Sequence, residues 1–151
     1  MKTASHLEKF ARLDGLRARL DPLADFELWY WTTLTACTNA LNASMHLCGL
    51  TTPDPVFSTI PGVHMVPQAD GSYARALRGP GDVTHLNWPP VPGDKPADLV
   101  SMEHAIEEIE TFRDPCLRGN ERPTPALVER VEAAFTTVRA MLAARRKESA
   151  A

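Results

Sequence analysis

The sequence predicts an all-α protein, a four-helix bundle-like domain with a long Pro/Gly-rich irregular insertion between the second and third helices. Three observations carry that expectation. Apolar residues recur at intervals of three and four in four separate stretches. Capping residues and prolines bracket those stretches. Eight prolines and six glycines crowd into residues 49–95, which excludes a long helix there.

The first helix is expected over about residues 6–20, opened by a capping box, Ser5-x-x-Glu8, and continued by Leu7, Phe10, Leu13, Leu16 and Leu20. Asp21-Pro22 ends it and starts the second, because Asp suits a cap and Pro suits a first helical turn. The second helix is expected over 22–48, with Gly49 as its left-handed terminator. The third should run over 96–113, where Asp114-Pro115 forbids continuation, with Leu99, Met102, Ala105, Ile106, Ile109 and Phe112 on one face. The fourth should run over 125–147, with Thr124 as cap, Pro125 as first residue and Leu127, Val131, Ala134, Phe135, Val138 and Leu142 facing inward.

Residues 49–95 hold too much apolar surface for disorder, so they read as an ordered cover over the helices. Asp70-Gly71 is a turn signal between β-compatible runs near Val63–Val66 and Ser72–Leu77, and one small hairpin is expected there. At 151 residues, 44% hydrophobic and 23% charged, the chain fits a single domain over 1–151.

Charge and cysteine usage narrow the setting. A net charge of −3 gives no electrostatic reason to expect nucleic acid or an anionic membrane as partner. The odd cysteine count, without C-x-x-C spacing, argues against a disulfide framework and for a reducing, cytoplasmic setting. Met1 to Leu20 is charged throughout and lacks the apolar core of a secretory leader. Leu28 to Leu50 has no formal charge, but its threonines, asparagines, Ser44 and His46 dilute it, so no membrane span is expected.

The second helix carries most information. From Leu28 to Ala69 the only charged residue is Asp54, so this helix should be buried on nearly all sides. A turn of about 100° per residue puts Thr32, Thr35, Asn39, Asn42 and His46 in one polar, uncharged row. Either neighbouring elements satisfy that row, or it lines a pocket roofed by the insertion. The pocket reading assigns ligand contacts to Thr35, Asn39, Asn42, His46, His64, His85 and Trp88, and any proton transfer to His46.

Its partner would be a small neutral or weakly polar molecule, and the sequence alone does not decide between binding and turnover. Metal ligation could draw on His46, His64, His85, His104, Glu103, Glu107, Glu108 and Cys116; no pattern among them places a site, so neither metal nor cofactor is expected. No nucleophile elbow or phosphate-binding loop is present. A non-enzymatic interaction domain is the alternative, a homodimer with Trp29 or Trp31 in its seam. The run Leu41-Asn42-Ala43-Ser44-Met45-His46 resembles the polar-x-x-x-His spacing of HEPN helical domains, many of them ribonucleases, with Leu41 where that pattern carries Arg. That resemblance implies a degenerate RNA-associated module as a further alternative.

Overall fold

The computed structural model describes residues 1–53, 63–77, 81–82, 91 and 93–150. Among these the protein is mainly helical, with one small antiparallel sheet. The helices are α1 (Thr3–Arg17), α2 (Phe26–Leu47), α3 (Ala97–Glu110) and α4 (Pro125–Ala150), with a π-helical turn at Asp114–Arg118. Strands β1 (Val63–Pro67) and β2 (Tyr73–Leu77) form the hairpin.

α2 is the central element, touching α1, α3 and α4. Its Tyr30, Leu34, Leu41 and Met45 are fully buried against Leu99, Met102, Ile106 and Ile109 of α3 and Val131, Phe135 and Val138 of α4. Burying each such side chain contributes about 1.5–3 kcal/mol. No helix among the described residues is long and apolar enough to cross a membrane.

Several element boundaries differ from the sequence expectation for identifiable reasons. α1 starts at Thr3 with Lys2 before it and no side-chain cap, so Ser5 lies inside the helix and the capping box does not form. Contacts of Met1 and His6 with Asp82 hold this first turn instead. Asp21 Oδ1 accepts hydrogen bonds from the amides of Leu23 and Ala24, both at 2.8 Å, but caps only a single turn. Asp25 (φ −106°, ψ 29°) interrupts the path, and the regular helix begins at Phe26. α3 stops at Glu110, because Pro115 has no N–H to offer the Thr111 carbonyl and the chain widens into the π turn, closed by Gly119 N–H on Asp114 O at 2.7 Å.

Other local signals hold. Thr124 Oγ1 accepts from Leu127 N–H at 3.2 Å, as a helix cap should. In the hairpin Pro67 pairs with Tyr73 and Val63 with Leu77, and Gly71 takes φ 81° in the connecting turn. Asp70 Oδ1 accepts from both the amide and the hydroxyl of Ser72, closing that turn.

Arg17 is a buried cation that the apolar pattern does not reveal. Its guanidinium lies 5.3 Å from the Trp29 ring centre and 4.1 Å from that of Phe135, donates to Thr33 Oγ1 at 2.9 Å, and ion-pairs with Glu132.

Candidate functional site

The end of α2 sets up the site. Gly49, at φ 74°, reverses the chain: its N–H bonds to His46 O at 3.2 Å, and Leu50 N–H bonds to Met45 O at 3.0 Å. Only a residue without a side chain takes this left-handed conformation at little cost. The reversal folds Thr51 back onto the last turn, where its hydroxyl lies 2.5 Å from His46 Nδ1. The other nitrogen of that ring, Nε2, meets Asp82 Oδ1 at 2.9 Å.

α1 delivers a second imidazole to the same oxygen. His6 Nε2 lies 3.1 Å from Asp82 Oδ1, and His6 Nδ1 lies 2.9 Å from Asn39 Oδ1 of α2. The two rings are 5.4 Å apart between centres, tilted by 49°. The second carboxylate oxygen, Asp82 Oδ2, accepts from the Met1 amine at 2.9 Å. Residues 6, 46 and 82, remote in sequence, therefore converge at one point. His6, Asn39, His46 and Thr51 are all buried, and the Asp82 side chain is 16% exposed.

The electrostatics follow from that packing. Burial alone would raise the Asp82 carboxyl, but its contacts with His46 and His6 and the hydrogen bond from the Met1 amine outweigh it and hold the group well below the usual carboxylate range. Asp82 is thus an ionised acceptor. The nearby C-terminus of α2 adds its own partial negative charge, which favours a cation at this place.

The donor set is chemically specific. One ligand atom each from His6, His46 and Asp82 lies within 4.8 Å of the others. With metal–ligand bonds of about 2.0–2.2 Å, two donors at a right angle are about 3 Å apart. The two Nε2–Oδ1 separations, 3.1 and 2.9 Å, match that spacing. Two imidazoles and one carboxylate suit a divalent first-row transition metal better than calcium or magnesium, which prefer all-oxygen sites.

The residues singled out from the sequence divide. Asn39, Asn42 and His46 are buried, as expected for the polar row, and Asn39 and His46 join the cluster. Thr35 is exposed, because its hydroxyl bonds to Trp31 O of its own helix at 2.7 Å and needs no other partner. α2 is therefore not enclosed on every side: Leu28 is 56% exposed on the same open stripe. His64 lies on β1, its backbone paired with Ala76, while His85 and Trp88 fall outside the described residues.

Trp29 packs inside the chain against Phe26 and Arg17, so it cannot supply the dimer seam that its exposure would require. His104 is exposed, and Glu103 is buried with both oxygens on Lys95 Nζ, at 2.7 and 2.9 Å. Leu41, where the HEPN pattern carries Arg, is fully buried in the core. All three cysteines are free, and burial pushes each thiol up, which makes none of them a ready nucleophile.

Sequence reasoning missed His6, Thr51 and Asp82. His6 did leave a signal: it stands 11 positions before Arg17, about three helical turns, so the two lie on one face of α1 with Phe10 and Leu13 between them. They are the buried residues of that helix. Asp82 left none, being one acidic residue in a Gly/Pro stretch.

No family model matches the chain, no curated protein matches it, and no solved structure matches it.

Proposed function

We propose that this chain binds a divalent first-row transition metal through His6 Nε2, His46 Nε2 and Asp82 Oδ1, and offers the remaining coordination positions to a small neutral or weakly polar molecule. The convergence of those three donor atoms carries the reading. Among the described residues three donors converge, and three protein ligands with positions left over are the pattern of sites that do chemistry, whereas structural zinc sites are closed by four. A bound metal of this class supplies Lewis acidity towards a water or a carbonyl. α2 contributes no formal charge from Leu28 to Leu47, which supports a neutral partner over a phosphate or polycarboxylate.

In this reading the protein is a four-helix bundle, and Asp82, which lies between α2 and α3 in sequence, completes the site. The His46 role inferred from the pocket shifts accordingly: the imidazole holds the metal and does not itself transfer the proton.

Titration of chelator-treated full-length protein with Zn(II) and Co(II) tests the proposal. One equivalent should bind, His46→Ala and Asp82→Ala should abolish that binding while retaining the helical circular dichroism, and azide should alter the visible spectrum of the Co(II) protein by entering an open position. Absence of saturable one-equivalent binding, or its survival in Asp82→Ala, overturns the reading.

A further inference from the structure

The hydrogen bonds on the far sides of the two imidazoles determine which nitrogen can face a metal. Asn39 is oriented by its own helix: its Nδ2 donates to Thr35 O at 2.8 Å, so Oδ1 is the end turned to His6. An amide oxygen only accepts. His6 Nδ1 must then carry the proton, and in the neutral ring Nε2 presents a lone pair. That lone pair points at Asp82 Oδ1, itself an acceptor, 3.1 Å away. A neutral imidazole cannot donate to both neighbours. The arrangement is satisfied by a second ring proton or by a cation between Nε2 and Oδ1.

At His46 the partner is a hydroxyl, which can donate or accept, so the same tautomer is permitted there and not forced. Thr51 Oγ1 can accept from Nδ1–H, leaving Nε2 free to coordinate, and Gly49 holds it in place through the chain reversal. Metal-ligating histidines characteristically donate their remaining N–H to such an oxygen, which fixes the ring and raises its basicity.

We infer that Asn39 and Thr51 are positioning residues that fix His6 and His46 as Nδ1–H tautomers, so that both Nε2 lone pairs are directed to a metal shared with Asp82. The inference rests on the metal-binding reading above. It goes beyond it by assigning buried polar residues with no ligand atom of their own a measurable part in affinity.

Co(II) is the probe, read by its visible absorption in the full-length protein. Thr51→Val and Asn39→Leu, which remove the acceptor, should each weaken Co(II) binding by about 10–100-fold. Thr51→Ser, which keeps the acceptor oxygen, should restore binding to near the unaltered protein. A purely structural role would not follow the acceptor in this way. Long-range proton–nitrogen NMR of the Zn(II)-loaded protein gives a second readout: both rings should be metallated at Nε2 and protonated at Nδ1.

Binding within twofold of the unaltered protein in Thr51→Val and Asn39→Leu, or ligation through Nδ1 in either ring, overturns the positioning inference while the metal site stands. Failure of the unaltered protein to bind Co(II) removes both.

Discussion

Replacing Tyr30 with Phe should destabilise the protein at neutral pH and yet leave it equal to the unaltered protein near pH 11. Tyr30 is fully buried on α2, and its hydroxyl donates to Ile109 O near the end of α3 at 2.7 Å. That carbonyl also accepts from Phe112 N–H at 3.2 Å, so deletion of the phenol does not leave it without a donor. The cost is then that of a net hydrogen bond, about 0.5–1.5 kcal/mol, without the larger penalty of an abandoned buried acceptor.

Burial first, and then the charge of Glu110, push the phenol of Tyr30 well above its ordinary pKa of 10. A raised acid favours the protonated fold, so its contribution is intact below the unfolded pKa near 10 and is lost as pH climbs towards the folded value. At pH 11 that loss is about 1.4 kcal/mol, one unit of linkage. The Tyr30→Phe protein has no such limb, and titrations elsewhere are common to both proteins. Urea unfolding from pH 7 to 11 should therefore show two stability curves that converge by about pH 11. Curves that stay parallel over that range would refute the argument, since they would mean that Tyr30 ionises as easily in the fold as in the open chain.

Substitutions at two further positions separate packing from charge and strain from sterics. Arg17→Ala should cost about 2–4 kcal/mol in urea unfolding, because it empties the space between Trp29 and Phe135, whereas Arg17→Met should stay within about 1 kcal/mol. Glu132, 44% exposed, is resolvated when its partner goes, so equal losses in the two variants would show that the ion pair, not the packing, matters. Gly49→Ala should cost about 1–2 kcal/mol from backbone strain alone at φ 74°, since nothing lies within 4 Å of an added Cβ; an unchanged melting temperature would contradict this.

The helices were legible because their information is local. Thr124 with Pro125, Gly49, and Asp70-Gly71 act within one turn of themselves, and each does what its chemistry requires. The errors arose where a distant contact overrode a local preference. Ser5-x-x-Glu8 has the composition of a capping box, yet the first turn is fixed by Met1 and His6 on Asp82, some 76 positions from His6. Arg145 stands in the last turns of α4, where a cation complements the helix end, yet it pairs with Asp98 of α3. Arg17 and His6 sat in plain view at helical spacing, but a reading that sorts residues by hydrophobicity discards polar members of an inward face.

The polar row on α2 shows the same distinction at the level of single atoms. Thr35 bonds to Trp31 O, Thr38 to Leu34 O, and the amide nitrogens of Asn39 and Asn42 to Thr35 O and Thr38 O, all within the helix. A face of hydroxyls and amides spaced by three and four can therefore spend its donors on its own backbone, and its polarity alone does not make a cavity. Among the described contacts, the Asn39 oxygen and the His46 ring reach beyond the helix, and on these groups α1, Thr51 and Asp82 converge. Sequence spacing reveals which residues share a face. Only the long-range fold, by bringing His6 and Asp82 to that face, determines which of their atoms are left over for chemistry.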